Sequence, residues 1–401
     1  MKSHLFLTLA AAAAAFAFTG CGKSSDPGAP AEDTKITGKP SDPPVALKAV
    51  WKPGWKYEVF VQSQQQADLG FGGRGRGGGG GGGGGNEGGM EATFKQDLSI
   101  LATNGPKDGV NLDLELQSLG VTMFMGSETV LHYDSAQQTA SGQAEQVAGM
   151  LDSLVGGHFE CILDAEGKLK EVQGIKELIE KATAATGDAA GGAAGGRGGG
   201  RRGGMGMMGP GMLQRMLSES YFRPLVEFPG QLEGPARIGQ AWTNQQDISI
   251  MGVANVTVLT TNTFRGWQTR DGHKCARIEV TGTIQQARRA ESQGGFDIMR
   301  MFGDLSLENA EVTGTIWLDP KLEFPVEISL SQKFNLAGTL PAGGFGGGGG
   351  RRPGANAPAR GADPAAVAAA AAAAGVPAPG ERFSRPVAMS LLMKLRQATG
   401  P

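Results

Sequence analysis

The feature that most constrains the fold is a two-residue alternation of apolar and polar side chains, which recurs along most of the chain. Residues 110–117 show it most clearly, because the apolar positions there are Val110, Leu112, Leu114 and Leu116. The positions between them hold Asn, Asp, Glu and Gln. Successive side chains of a β-strand point to opposite faces, so such a segment buries one face and exposes the other. The chain is therefore predicted to be mainly β.

Further alternating segments predict strands near residues 55–61, 94–100, 130–133, 159–163, 242–251, 256–267, 276–284, 312–318, 324–330 and 387–395. Beyond residue 119 the apolar set moves to odd positions, which predicts a β-bulge near Gly120. Helical periodicity is confined to the middle of the chain, at residues 143–154, 175–185 and 212–222. We expect a curved, half-barrel-like antiparallel sheet with two or three mid-chain helices. A closed β-barrel and a β-sandwich are the alternatives.

Glycine accounts for 67 of the 401 residues, and most of it lies in three tracts, at residues 70–89, 187–211 and 343–380. Regular strand patterns resume directly after the first and third tracts. Each doubling of loop length costs only about 0.6 kcal/mol, so a sheet tolerates such insertions. We expect one β-rich domain over residues 45–399, interrupted by three disordered inserts.

The N-terminus has the order of a secretory signal peptide, with a positive charge at Lys2, an apolar run from Leu5 to Phe18, and small residues before Cys21. The ending F-T-G-C resembles a bacterial lipobox, with Phe in place of the usual Leu. We expect residues 1–20 to be removed and Cys21 to be lipidated. An uncleaved membrane anchor and ordinary signal cleavage elsewhere are the alternatives.

Residues 21–44 are rich in Pro, Gly and Ser and nearly free of apolar side chains, which predicts a lipid anchor followed by a disordered linker. Gly22, rather than Asp, follows the cysteine. By resemblance to lipoprotein sorting in diderm bacteria, this favours the outer membrane, with the periplasmic and surface faces both open. The membrane, reached through the N-terminal lipid, is thus the first expected partner.

Two further cysteines, Cys161 and Cys275, lie in predicted strands of the expected exported domain. A disulfide between them is one interpretation, since exported proteins sustain disulfides. Two buried free thiols that act as small apolar residues are the other.

Motifs that carry chemistry are absent from the sequence. No G-x-S-x-G elbow, H-E-x-x-H pair or Walker loop occurs. His158 lies three residues before Cys161, and in a strand that spacing points the two side chains to opposite faces. His273 lies in a turn near Asp271, and Asp113 with Glu115 is expected on a solvated strand edge. No catalytic, cofactor or metal site is expected.

Nucleic acid is not an expected partner either. The formal net charge is -2, and the few arginines in the glycine tracts lack the interleaved aromatic residues of RNA-binding segments.

Several turn-and-strand motifs carry a resemblance to a known family. They are Lys52–Tyr57, Asp164–Gly167 with Val172 and Gly174, Ile238–Trp242, and Gly314–Asp319. With these motifs the chain resembles a family of uncharacterised bacterial lipoproteins, which is loosely similar to the half-barrels of lipoprotein carriers. The resemblance implies a fold and a location in the cell envelope, and it implies no activity and no catalytic residues.

Two functions follow as expectations. The first is a structural or interaction role of an envelope lipoprotein that binds other envelope proteins. The alternative is a carrier or binding module that holds a hydrophobic ligand, such as a lipid or acyl chain, on the concave face of the sheet. The unusual number of methionines, 15, is consistent with an adaptable apolar surface.

Overall fold

The computed structural model of the chain describes residues 35–68, 89–190, 217, 219–228, 232, 234–250, 254–286, 306–339 and 382–401. The expected signal peptide, Cys21 and most of the three glycine tracts lie outside these residues.

Thirteen strands form one antiparallel sheet, and two short strands form a separate pair. The strands are β1 (Val45–Ala46), β2 (Lys56–Asp68), β3 (Gly89–Asn104), β4 (Val110–Met125), β5 (Glu128–Asp134), β6 (Thr139–Gly142), β7 (His158–Leu163), β8 (Leu169–Gln173), β9 (Pro235–Ala236), β10 (Ala241–Ile250), β11 (Ala254–Arg270), β12 (His273–Gln286), β13 (Ser306–Asp319), β14 (Phe324–Thr339) and β15 (Arg382–Thr399).

The large sheet has the order β10-β11-β12-β13-β14-β15-β2-β3-β4-β5-β6, with β7 and β8 added beside β4. Its described strands do not close into a barrel, so the mainly β, open-sheet prediction is confirmed and the closed-barrel alternative is wrong. Strand β15 follows the third glycine tract, yet it lies in the middle of the sheet between β14 and β2. The last strand therefore joins the first and second halves of the chain.

Three α-helices occur in the described residues, in agreement with the prediction: α1 (Ala144–Asp152), α2 (Ile175–Ala190) and α3 (Glu219–Val226). Helix α3 contacts both β10, at one end of the strand order, and β8, near the other end. Eight helical residues span only about 12 Å. The sheet must therefore curve around α3, and the face toward the helices is called the inner face.

The alternation in the sequence determines which residues point to the inner face. Leu112, Leu114 and Leu116 of β4 are buried there, and so are Leu119 and Val121. The change from even to odd positions occurs where the pairing of β3 with β4 shifts, between Leu116 and Ser118. The predicted bulge therefore exists, three residues before Gly120, and it keeps the apolar side chains of both halves of β4 on one face.

Buried apolar side chains form two clusters on the inner face. The main cluster includes the three helices, residues 47–51 and the inner face of most strands. The second cluster consists of Ala67, Val256, Val258, Ile284, Val312, Phe334 and Val387. These residues belong to the six strands from β11 to β2 in the sheet order, so the second cluster continues the inner face beyond the main cluster.

The two clusters lie toward opposite ends of these six strands. At one end, which we call the turn end, short connections join β11 to β12 and β13 to β14. At the other end, the insert end, the strands are joined by residues 69–88, 287–305 and 340–381. The first and third glycine tracts thus connect strands at the same end of the sheet, where the second cluster lies.

Two boundaries differ from those expected from the sequence. Thr37, in the segment assigned to the linker, pairs with Trp267 of β11 through backbone hydrogen bonds of 2.9 and 2.8 Å. Helix α2 extends to Ala190, past residue 187 where the second tract begins. The packed chain therefore begins before residue 45.

Candidate functional site

Cys161 and Cys275 are both buried free thiols, so the disulfide interpretation is not supported and the free-thiol alternative describes them. Cys161 on β7 belongs to the main cluster of the inner face, whereas Cys275 on β12 points to the outer face. Six other strands separate β12 from β7 in the sheet. Burial raises the pKa of each thiol to about 12, and nearby carboxylates add to the effect. Both cysteines are therefore protonated at neutral pH.

His158 and Cys161 point to opposite faces, as their spacing predicts. The His158 ring lies on the exposed outer face, with Nδ1 3.3 Å from Asp113 Oδ1 and Nε2 3.8 Å from Glu115 Oε1. Both carboxylates face solvent, as expected. They are not at an edge, however, because β4 pairs with β3 on one side and β7 on the other.

His273 is held by a carboxylate that the sequence did not indicate. Its Nδ1 lies 2.9 Å from Oδ2 of the buried Asp319, whose Oδ1 accepts a hydrogen bond of 2.8 Å from the Lys321 backbone N–H. The neighbouring Cys275 thiol points to the His273 carbonyl oxygen, 3.6 Å away, and not to the ring. This arrangement stabilises the β13–β14 turn and does not activate the thiol.

A buried ion-pair network on the outer face was also not predicted. Arg270 donates to both oxygens of Glu327, at 2.7 Å, and Lys394 lies 3.0 Å from the same carboxylate. The Arg270 guanidinium lies over the Trp317 ring, and the Trp317 indole N–H donates to Gln268. These contacts join β11, β13, β14 and β15 and cover Glu327, which is 3% exposed. The network is a structural feature of the middle of the sheet.

The turn end of the inner face is filled by aromatic side chains. Trp51 packs edge-on against Tyr57 and Phe324 and stacks on Phe228, with ring centroids about 5 Å apart. The Trp51 indole N–H donates a 2.9 Å hydrogen bond to the Val226 carbonyl at the end of α3. Burial raises the pKa of the Tyr57 hydroxyl above its ordinary value. We call this set the aromatic plug.

Helix α3 is fixed inside the sheet by a buried carboxylate. Glu227 is 4% exposed and accepts hydrogen bonds from the Leu169 backbone N–H, at 2.8 Å, and from Arg223, at 2.6 Å. Arg223 also bonds Glu219, one turn earlier. Phe222 of the same helix packs against Phe159 of β7. The helix side of the inner face is therefore closely packed.

Between the main and second clusters, the inner face carries uncharged polar side chains. We call them the polar band, and its members are Ser63, Gln65, Gln96, Tyr221, Asn262 and Gln332. The Tyr221 hydroxyl donates a 2.9 Å hydrogen bond to Gln96 Oε1. Burial raises the Tyr221 pKa above its ordinary value, so this hydroxyl stays neutral.

Three members of the polar band have buried side-chain atoms without a hydrogen-bond partner, and the hydroxyl oxygen of Ser63 is one of them. Asn262 is 0% exposed, and neither its side-chain nitrogen nor its oxygen is bonded in the described structure. The buried Oε1 of Gln332 is also unbonded. Leaving a buried polar group unsatisfied costs about 1–3 kcal/mol, so such groups are uncommon and call for an explanation.

Asn262 lies between the two clusters along β11, with Phe264 of the main cluster on one side and Val258 of the second cluster on the other. Its neighbours across the sheet are Trp242 on β10 and Val280 on β12. Thr260 is the next inner-face position on β11, so the amide has apolar neighbours on three sides and a hydroxyl-bearing residue on the fourth.

Two glycines in this region mark close approaches of neighbouring strands: β12 approaches β11 at Gly282, and β13 approaches β14 at Gly314. A Cβ atom on Gly282 would lie 2.2 Å from the Leu259 carbonyl oxygen, and one on Gly314 would lie 2.4 Å from that of Ser329. Glycine within a strand marks a close backbone approach or a bend. Sequence reasoning missed this part of the site, although an Asn and a Gln at apolar-phase positions were a readable signal.

Two open hollows occur on the helix side of the molecule. One is lined by residues 171–177, and the other lies beside Tyr133 and Asp152. The Tyr133 hydroxyl donates to Asp152 Oδ1, and burial and the nearby carboxylates raise the Tyr133 pKa above its ordinary value. Neither hollow reaches the polar band. The described residues contain no group of three or more His, Cys, Asp or Glu side chains placed so that they could hold a metal ion.

The fold and the polar band define a class: an open, strongly curved antiparallel sheet that encloses helices and carries unsatisfied polar groups on its inner face. The chain belongs to DUF6263, a family of unknown function, whose model matches residues 107–322, slightly more than half of the sequence. No curated protein matches the chain. The described residues contain no helix long and apolar enough to cross a membrane.

Among solved structures, the chain is similar to one titled "Lipid-protein interactions in lipovitellin". The identity is 10% and the TM-score 0.40, and the match covers 88% of this chain. The chain spans about a quarter of that solved chain, of which the match covers 26%.

Proposed function

We propose that this protein is an exported, lipid-anchored envelope protein whose β-domain binds an apolar ligand on the inner face of its sheet. The observation that carries the binding function is the unsatisfied amide of Asn262, completely buried between two apolar clusters. Its missing hydrogen-bond partners are consistent with a molecule that occupies this region in the functional protein.

The packing limits where such a ligand would lie. The aromatic plug and α3 occupy the turn end of the inner face, where their side chains are buried in the main cluster. The second cluster is separate from the helices, and its members come only from strands. The ligand is therefore assigned to the strands β11–β15 and β2, from the polar band toward the insert end.

A charge placed on this face tests the proposal. Leu330 points to the inner face of β14, next to Gly314, while its neighbour Ser331 points to the outer face. Residues 21–401, the expected mature chain, are expressed with Cys21→Ser, so that both the apolar run and the acyl chains of the anchor are absent, and are titrated with a pyrene-labelled acyl lipid. Leu330→Glu should weaken binding at least tenfold, because it places a carboxylate against the acyl chain.

Ser331→Glu is the matched control, with the same new charge on the opposite face, and it should leave affinity unchanged. Circular dichroism of each variant verifies that the sheet is formed. Equal affinity of both variants, or no lipid uptake by the parent chain, would contradict the binding proposal.

The anchoring part of the proposal rests on Lys2, the apolar run from Leu5 to Phe18, and Cys21. Two or more acyl chains hold a protein stably on a membrane, whereas one does not. Cys21→Ser should abolish incorporation of labelled fatty acid and block maturation of the precursor. A variant that is still processed and still sediments with membranes would contradict the anchoring proposal.

A structural or interaction role is the second candidate. The observation that favours it is β10, whose outer edge has no strand partner among the described residues. An unpaired strand edge can accept a further strand from another protein. Crosslinking in cells from a reactive residue at position 243 or 245 tests this role.

A further inference from the structure

The polar groups of the inner face indicate which kind of apolar ligand the site would hold, an inference that rests on the proposed function. All members of the polar band are amides or hydroxyls. Between Asn262 and Gln332, the inner-face positions of β12 and β13 are Val280, Gly282, Val312 and Gly314, so no charged side chain lies between the two amides. An isolated charge in such an apolar surrounding would cost far more than a neutral polar group. The surrounding therefore disfavours a carboxylate, phosphate or ammonium head group.

Asn262 specifies the hydrogen-bonding character of the head group. Its amide offers donors on the nitrogen and an acceptor on the oxygen, and both are unbonded. A ligand that satisfies both must itself present an acceptor and a donor. A hydroxyl group does so, whereas the ester group of a methyl ester offers acceptors only.

Gln332 adds a second hydrogen-bonding requirement for the ligand, at a position some distance from Asn262. Its unbonded Oε1 needs a donor. Three strand spacings separate β11 from β14, which corresponds to ~14 Å along the sheet. The ligand would cross β12 and β13 near Gly282 and Gly314, where the backbones approach each other closely. A molecule with several hydroxyl groups next to an apolar chain meets both requirements.

We infer that the inner face binds a neutral acyl lipid with free hydroxyl groups, such as a monoacylglycerol, and that Asn262 bonds a hydroxyl of its head group. Val258 and the rest of the second cluster contact the acyl chain. A buried water bonded to Asn262 is the competing explanation, and it predicts a different effect of removing the amide.

The experiment compares three probes with the same acyl chain: monooleoylglycerol, methyl oleate and oleate. Each is titrated into residues 21–401 with Cys21→Ser, and into the same chain with Asn262→Leu. Asn335→Leu is the matched control, because Asn335 lies on the same sheet but points to the outer face of β14. Thermal unfolding of each ligand-free variant is measured in parallel.

The parent chain should bind monooleoylglycerol about tenfold or more tightly than methyl oleate or oleate. Asn262→Leu should remove this preference while it leaves or raises the melting temperature, because it replaces an unsatisfied buried amide by an apolar group. Asn335→Leu should keep the preference.

Two results would overturn the inference separately from the proposed function. Equal binding of all three probes would show a lipid site without head-group selection. A marked fall of the melting temperature on Asn262→Leu, with an unchanged preference, would indicate that a structural water satisfies the amide. Binding of none of the probes would instead contradict the proposed function itself.

Discussion

The aromatic plug at Trp51 yields the most quantitative prediction. Trp51 is 5% exposed, and its indole ring contacts three aromatic side chains and donates to the Val226 carbonyl. Replacing a buried Trp by Ala costs about 3–5 kcal/mol, from lost burial and from the cavity left behind. In a domain of this size that corresponds to a fall in melting temperature of about 6–20 °C.

Trp51→Phe separates the hydrogen bond from the packing. The Phe ring retains most of the aromatic contacts but leaves the buried Val226 carbonyl without its donor, which costs about 1–3 kcal/mol. Trp55→Phe is the matched control, because Trp55 is only partly buried and lies beside Lys52. Its cost should stay below about 1 kcal/mol.

Urea unfolding followed by far-ultraviolet circular dichroism gives the free energy of unfolding for each variant. The cost should decrease from Trp51→Ala to Trp51→Phe to Trp55→Phe. Equal costs for the two Phe variants would refute the role of the Val226 hydrogen bond. A cost of Trp51→Ala below about 1 kcal/mol would refute the close packing of the turn end.

Other parts of the sheet give further predictions. Glu327→Gln should lower the free energy of unfolding by about 3 kcal/mol, because it leaves Arg270 and Lys394 without their buried partner. Glu279 forms a more exposed ion pair with Arg265, so Glu279→Gln should cost under about 1 kcal/mol. Urea titration compares the two variants, and equal costs would contradict the network. Cys161 and Cys275 should resist iodoacetamide until the protein unfolds. Folding raises the pKa of both thiols from 9.0 to about 12. Their contribution to the free energy of unfolding is therefore complete below pH 9.0 and is lost as the pH rises toward 12. A free energy of unfolding that rises over this pH range would contradict the burial of the thiols. Gly314→Ala should destabilise by about 1–3 kcal/mol because its Cβ would clash with a neighbouring carbonyl, and an unchanged melting temperature would contradict the close approach.

Much of the fold was predictable because strand side chains alternate. The inner positions of β4 follow directly from Leu112 to Val121, and the change of parity located a bulge to within three residues. The helices were predictable from their apolar periodicity, and α1 and α2 lie where it appears. These features are local, so they can be predicted from the sequence even when the strand order is unknown.

The candidate site was not predictable in the same way. Asn262 and Gln332 lie on different strands, and their burial depends on how far the sheet curves around α3. The same holds for Glu327, whose partners Arg270 and Lys394 come from strands far apart in the sequence. Charge compensation and unsatisfied groups arise only when distant segments are brought together.

The most direct test of the central claim is to identify the lipid that copurifies with the full chain. Organic extraction removes non-covalent lipid and leaves an acyl-modified Cys21 with the protein, and mass spectrometry then identifies the extract. We predict a neutral, hydroxyl-bearing acyl lipid in near-equimolar amount, reduced in Asn262→Leu and retained in Asn335→Leu. A folded protein that yields no such lipid, and takes up none when it is supplied, would contradict the account.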